Sequence, residues 1–545
     1  MTGKKKGGLL ASVLALSLTL SACAGSGSAG GGEAERSEVD TARFLSFVSD
    51  DADTVDPQCT TEHYTVALNV MDRLVENRVG ADGQSEIIPS LAESWEISPD
   101  GHSYLFHLRR DVRYSNGEAL TASDVGYTLR RLLTHPDSQN QDIALGILGA
   151  KELHEGKTET LTGFREYDDY AFEITLERPN AAFLACLSMP GASILDETTT
   201  EAAGVLFGHD PAWTVGTGPF IFRDWQPGLN MILTANRDCW SGPPNCDGLM
   251  IYLATDPEYQ RLLFENGSLD ILDLDNVGNE AEYFIHGDIY QDHLRHGARV
   301  GISYIALNAS VPPLNDRRVR KALQLALDRE TLLGAAYSGR GIVENGIFPH
   351  GLTGFNPELP EIPYAPEEAK RLLREAGYPN GFSLTLSASS VSSQTLLDLL
   401  TLIGSMWAGV GVRAAVQVLP EEQYMAQRRA GKLTGYSATW SADYNDPDNF
   451  IYTFFGNPEN TTDRSLCYPE TEVMRRVEKA RQIVDTAARL EEYRDLERRI
   501  VQEDAAWIPL FSRQHYFVLS DRVEGFEIAW NGWSSTSYRN VSIRT

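Results

Sequence analysis

Hydrophobic and polar positions alternate or recur along most of this chain, and the period changes often. Residues 42–49 (ARFLSFVS) and 103–108 (SYLFHL) carry the apolar-rich short runs of strands. Residues 64–74 (YTVALNVMDRL) are apolar at helical spacing, and residues 171–176 return to strand character. A strand follows Val215-Gly-Thr-Gly-Pro-Phe220, and residues 230–233 supply its hairpin mate. A short helix is predicted over 257–264 and strands near 269–272 and 304–308. Val319, Ala322, Leu323, Ala326 and Leu327 fall at i, i+3, i+4, i+7 and i+8, the stripe of an amphipathic helix with Asp316 near its start. Helices over 366–376 and 395–407, a strand over 412–419, interrupted helix over 470–503 and a strand over 508–519 complete the pattern. Thr121-Ala-Ser-Asp124 resembles a capping box, with Asp in place of the usual Glu, opening a helix to about residue 133. Helices and strands mix throughout with no repeat period, which predicts an α/β or α+β chain of several domains.

The chain has 545 residues, beyond the roughly 250–300 at which a single core stops growing. Apolar residues make up 42% and charged residues 23%, which excludes a disordered or fibrous chain. The 76 Asp and Glu against 47 Lys and Arg argue against nucleic acid as a partner. No run of 18 apolar residues spans a membrane.

The first residues read as an address. Lys4, Lys5 and Lys6 precede an apolar stretch over 9–20, and Leu20-Ser21-Ala22-Cys23 resembles a bacterial lipobox. That resemblance implies cleavage after residue 22 and acylation of Cys23, and residues 24–32, only Gly, Ser and Ala, suit a flexible tether that runs to residue 40; the competing reading is a plain secretory signal with a chance cysteine. Loss of 1–22 with their three lysines takes the net charge from −29 to −32. Five cysteines remain, Cys59, Cys186, Cys239, Cys246 and Cys467. In an oxidising compartment, Cys239 and Cys246, flanking a turn-rich Trp-Ser-Gly-Pro-Pro-Asn, form a possible local disulfide. They lack the companion pair of a zinc finger, and His293 and His296 read as a surface pair on one helix face. No nucleophile elbow, zinc-protease pair or phosphate-cradling loop is present, and Gly216-Thr-Gly218 lacks the third glycine of a dinucleotide site.

Five blocks in order resemble the oligopeptide- and dipeptide-binding proteins of ABC importers, bacterial extracellular solute-binding protein family 5. They are Pro89-Ser-Leu-Ala-Glu-Ser-Trp95 through Thr121-Ala-Ser-Asp-Val125; Val215-Gly-Thr-Gly-Pro-Phe220 through Gly267-Ser-Leu-Asp270; Leu307-Asn308 through Ala326-Leu-Asp-Arg329; Glu368-Ala-Lys-Arg-Leu-Leu-Arg-Glu-Ala-Gly-Tyr378; and Trp440-Ser-Ala-Asp-Tyr-Asn-Asp-Pro447. The resemblance implies an α/β fold of two lobes, periplasmic-binding-protein-like of the class II type, with an extra domain inserted in the first lobe. On this plan residues 1–22 are signal and 23–40 tether. Lobe I comprises 41–84, 210–301 and 512–545, its inserted domain is 85–209, and lobe II is 302–511.

The resemblance also implies site residues. Asp443 matches the aspartate that receives a peptide's ammonium, Trp440 walls the pocket, Ser441 and Ala442 offer backbone groups, and Tyr444 and Asn445 brace the loop. A solvated acidic turn formed by Asp443, Asp446 and Asp448 is the alternative. Thr61, Glu62 and His63 lie in the facing loop, and Tyr304 at the hinge is either a ligand contact or a buried strand residue. Oligopeptide binders carry an arginine three residues before the motif tryptophan; here that position is Ser437, and Arg428 and Arg429 read as helix-surface arginines ahead of the alternative that one of them substitutes. The implied function is a monomeric, lipid-anchored receptor outside the cell membrane. It captures a short peptide by hinged closure, without cofactor, metal or catalysis, and delivers it to a permease and ATPase complex. Same-fold alternatives are a nickel chelate, haem, siderophore or oligosaccharide; the different-class alternative is a secreted hydrolase.

Overall fold

The computed structural model describes residues 41–79, 85–531 and 536–544. The signal, the tether and Cys23 lie outside the described residues. Among those described, no helix is long and apolar enough to cross a membrane.

The buried apolar side chains gather into separate cores. One is built wholly from residues 300–511, with Trp407, Tyr436, Tyr493 and Trp507 at its centre. A second draws on residues 74–194. A third joins Leu45 and Phe47 to residues around 195–271 and to Phe517, Tyr538 and Val541 near the C-terminus. The strand Trp507–Leu519 connects them: Ile508 and Phe511 lie in the first core, Phe517 and Leu519 in the third.

That strand belongs to a mixed sheet. Its path runs through Gly435–Ser441, Gly301–Leu307, Trp507–Leu519, Ile271–Asp273, Phe44–Ser49, Gly248–Leu253, Asn230–Ala235 and Phe220–Gln226. Trp507–Leu519 is 13 residues long, enough to pair antiparallel with Gly301–Leu307 at one end and Ile271–Asp273 at the other. It is fully buried over its first six residues, so it reads as a continuous apolar run rather than an alternating one. Residues 92–175 contribute a separate antiparallel sheet, in the order Ala92–Ile97, Ser103–Leu108, Ala171–Thr175 and Phe164–Asp168. Ser103–Leu108 alternates half-buried and buried residues, the period of a one-faced strand. In the 300–511 body, Phe382–Ser389 and Val412–Leu419 are parallel strands joined through the helix Gln394–Ala408.

Local chemistry sets several boundaries. Thr121 opens the helix Ala122–Thr134: its backbone N–H and hydroxyl both donate to Asp124 Oδ2, at 2.8 and 3.2 Å. Asp316 caps Arg317–Leu325 by accepting from Arg318 N–H at 2.8 Å. Gly216 and Gly218 cradle no phosphate. A Cβ on Gly216 would lie 2.0 Å from the Val70 carbonyl oxygen, and Gly218 N–H donates to that same oxygen at 2.8 Å. The glycines let this chain close against the end of the helix Thr65–Val70.

Three expectations change. The helix expected over 64–74 is only Thr65–Val70, because Met71 turns extended and Val75–Val79 pairs as a hairpin with Ser85–Pro89. His293 and His296 do not share a helix face: a 3₁₀ segment ends at His293, and His296 lies on the strand Leu294–Ala298, stacked on Tyr516. Cys239 and Cys246 are both free thiols, not a disulfide. Cys239 Sγ lies 3.3 Å from Ser241 Oγ and 3.6 Å from the Thr217 carbonyl, whereas Cys246 is fully buried in the third core, so the turn separates their environments. Cys59 and Cys467 are also free: Cys59 Sγ donates to Asp56 at 3.4 Å, and Cys467 Sγ to the Gly431 carbonyl at 3.7 Å.

Candidate functional site

The loop after Gly435–Ser441 carries three aspartates, and the fold gives them different environments. Asp446 is buried and bidentate to Arg489, at 2.9 and 2.5 Å. Asp448 is buried, 3.0 Å from Arg481 Nε, and accepts from the Tyr493 hydroxyl at 3.0 Å. Asp443 forms no ion pair with a described residue. Its carboxyl is crowded by protein, yet the residue stays open to the cleft. Burial pushes it above the usual carboxylate range, the Asn449 amide pulls it down, Asp142 raises it and Arg464 lowers it.

Asn449 holds Asp443 in place. Its Oδ1 accepts from the Asp443 backbone N–H and the Trp440 indole N–H, both at 3.1 Å, while its Nδ2 donates to Asp443 Oδ2 at 2.9 Å. Asn445 accepts from Thr353 N–H at 2.7 Å, fastening the loop to the segment beside it. Ala442 N–H donates to the Val300 carbonyl at 2.8 Å, and its own carbonyl accepts from Asn531 Nδ2 at 2.7 Å. The loop is thereby anchored from both of the bodies that meet there.

Two adjoining cavities share Asp443, Asp142 and Met189. One, of about 320 Å³, is also lined by Thr61, Tyr64, Asp72, Ser441 and Ala442. The other, of about 490 Å³, is also lined by Trp440, Tyr444, Asn449 and Arg464. Residues between 139 and 190 and residues between 440 and 464 contribute to their walls, and residues 61–77 and 530–539 also line the first cavity. Concave sites of this size between bodies suit small ligands.

Of the residues singled out from sequence, Asp443, Trp440, Ser441, Ala442, Tyr444 and Thr61 line these cavities. Asn445 lies behind them, in a separate cavity of about 290 Å³. Glu62 and His63 line neither site cavity, since the chain turns away after Thr61. Tyr304 is 2% exposed and stacked in the core, so in this conformation it offers no surface to the cleft. Ser437 is buried and donates to the Tyr304 carbonyl at 2.9 Å, and neither Arg428 nor Arg429 lines the cavities. Sequence reasoning missed Asp142, Tyr64, Arg464 and Asn449. Only Asn449 carried a local signal, standing directly after the Asp446-Pro447-Asp448 run of the motif. Among the described residues, no group of three or more His, Cys, Asp and Glu is placed to hold a metal ion.

The sequence pattern of the bacterial extracellular solute-binding proteins, family 5 Middle, matches residues 86–462. The chain belongs to that family. Family 5 proteins are solute-binding transport proteins, and this member is 30% identical over 482 residues to heme-binding protein A of Haemophilus influenzae, covering 86% of each chain. It is 28% identical over 501 residues to the dipeptide-binding protein of Escherichia coli, covering 89% of this chain and 90% of that one. Its fold overlays HbpA2 from Haemophilus parasuis with a TM-score of 0.78 at 27% identity, over 92% of this chain and all of the other. DppA from Helicobacter pylori in complex with the peptide STSA overlays with a TM-score of 0.70 at 25% identity, over 93% and 99%. The family 5 fold is the two-lobed α/β fold of periplasmic binding proteins, and the strand Trp507–Leu519 contributes side chains to two of the cores.

Proposed function

We propose that this family 5 protein binds a short peptide between its walls, with Asp443 receiving the peptide's α-ammonium. The observation that carries this reading is the division of labour in one loop. Asp446 and Asp448 are neutralised by Arg489 and Arg481, while Asp443 stays unpaired and open to the cleft. A desolvated carboxylate without a cation gains most from an incoming ammonium. Trp440 walls the site, and the strand Gly435–Ser441 lies at the end of its sheet, an edge that suits pairing with an extended peptide, whereas both backbone groups of Ala442 are taken by Val300 and Asn531. The dipeptide-binding relative supports the ligand class.

Delivery is part of the same proposal. Residues 85–209 act as the inserted domain, 41–84, 210–301 and 512–545 as lobe I, and 302–511 as lobe II. The lobes close about the hinge, because only closure contacts the ligand from both sides. Cys23, acylated after removal of residues 1–22, tethers a monomer to the outer face of the membrane, where it passes its cargo to an ABC permease and ATPase without altering it.

Calorimetric titration with dialanine tests the reading. The wild-type protein binds, N-acetylation of the peptide abolishes binding, and Asp443→Asn weakens it by about tenfold or more. Equal affinity of Asp443→Asn and wild type overturns the assignment. Native mass spectrometry of gently purified protein identifies co-purified cargo, and a haem mass rather than a peptide mass overturns the ligand class.

A further inference from the structure

A second carboxylate in the cleft, Asp142, likewise forms no ion pair with a described residue. Asp142 lies in the 3₁₀ turn Gln141–Ile143, on the wall opposite Asp443, and is exposed to both shared cavities. The turn is held from behind. Asn140 donates to the carbonyls of Thr60 at 2.8 Å and Pro57 at 3.1 Å and accepts from the Tyr64 hydroxyl at 3.2 Å, all buried. Asp142 is therefore presented rigidly to the cleft.

Apart from Glu459, which lines the larger cavity and forms no ion pair with a described residue, the other charges around the cavities are engaged within the protein. Asp72 accepts from the Trp240 indole at 2.8 Å and from Thr217 at 2.9 Å. Glu76 lies 3.6 Å from Arg73 and accepts from Ser90. Arg539 donates to Ser241, Arg481 serves Asp448, and Arg464 stands 3.9 Å from Asp463 with its guanidinium over Trp440. Asp142 and Asp443 are left facing the same space, and neither forms an ion pair with a described residue. Two ionised carboxylates in a confined cavity repel unless cations come between them. Burial raises both above their ordinary range, and Asp142 adds to the rise at Asp443.

We infer that Asp142 is a second ligand-binding carboxylate and that the cleft selects peptides with two positive groups at their amino end, the α-ammonium on Asp443 and a basic first side chain on Asp142. This inference rests on the peptide reading above. A lysyl or arginyl first residue supplies the second cation on a flexible stem, which suits an acid on the facing wall. Selection arises because a neutral first side chain leaves Asp142 desolvated and unpaired in the complex.

Calorimetry with Lys-Ala and Ala-Ala on the full mature chain tests it. Wild type binds Lys-Ala about tenfold or more tightly than Ala-Ala, Asp142→Asn removes that preference while changing Ala-Ala by less than about threefold, and Asp142→Lys reverses it in favour of Glu-Ala. Asp142 opens to the cleft, so these variants keep the fold, and circular dichroism checks it. No preference in wild type, or equal loss of both peptides in Asp142→Asn, overturns the inference while leaving the role of Asp443 standing. A null effect of Asp443→Asn on either peptide overturns the preceding reading instead, and failure of wild type to bind either peptide overturns both.

Discussion

Trp507 lies face to face on Tyr304, with ring centroids 4.0 Å apart and planes 17° from parallel. The two rings sit on the neighbouring strands Gly301–Leu307 and Trp507–Leu519, beside the register shift between Ser303 and Tyr304. Phe454 packs edge-on against both rings. Tyr304 thus stiffens the crossing strand. Tyr304→Ala is expected to lower unfolding free energy by roughly 3–5 kcal/mol in denaturant titration. Tyr304→Phe keeps the stacked ring and leaves peptide affinity within about threefold of wild type; a larger loss of affinity would show that the hydroxyl meets the ligand.

The Asn449 side chain sets how Asp443 titrates. Its donation holds the Asp443 carboxyl lower than burial alone would. Binding an ammonium requires the ionised acid, so affinity is lost as pH falls through the Asp443 pKa. Asn449→Ala removes the donation and moves that loss to higher pH, besides weakening binding by about tenfold at neutral pH. Calorimetry across the acidic range reads the shift, and an unmoved midpoint would refute the coupling.

Within one loop, two aspartates are expected to respond in opposite senses. Arg489→Ala strands the buried Asp446 and costs about 3–5 kcal/mol of stability. Asp443→Asn removes a carboxyl whose folded-state pKa is raised, which is a cost present at pH above that value. The unliganded variant therefore melts higher than wild type near neutral pH, and the gap closes in acid below the unfolded-state value. Paired melting curves at neutral and acidic pH check both signs.

Glu497 is a buried acid away from the cleft. Its Oε1 accepts the Ile347 and Phe348 backbone N–H groups at 2.7 and 2.9 Å, while Oε2 has no hydrogen-bond partner. Burial raises its pKa to about 8. The folded state then keeps its proton where the unfolded chain, titrating near 4.5, has lost it, so stability falls as pH climbs from about 4.5 to 8 and levels above. Glu497→Gln preserves the accepting oxygen and flattens that slope. A slope unchanged in denaturant midpoints from pH 5 to 8 would assign the dependence elsewhere.

Much of the architecture was legible because local signals agreed with tertiary packing. Residues 103–108 and 412–419 are strands over the ranges their patterns predict, and Val319, Ala322 and Leu323 lie on the buried face of a helix that Asp316 caps, although it ends at Leu325 and leaves Ala326 and Leu327 of the stripe beyond it. The motif from Trp440 to Pro447 pointed to the cleft. What could not be read was which charges find partners. Asp443, Asp446 and Asp448 look alike in sequence, and their partners Arg489 and Arg481 lie more than 30 residues away. Asp142 carries no motif at all, and it meets Asp443 only because two separate cores face one another.

Five motif blocks carried the family resemblance, and the order of apolar and polar positions determined by itself that this is a mixed α/β chain and where many of its elements begin and end. Those properties depend on short-range periodicity, capping and turn chemistry, which a linear string carries in full. The tertiary structure alone decided that Cys239 and Cys246 stay thiols, that Tyr304 is core, and that Asp142 and Asp443 share a cleft. Each of these depends on distances between groups far apart in the chain, and burial and Coulomb interaction act through space rather than along the sequence.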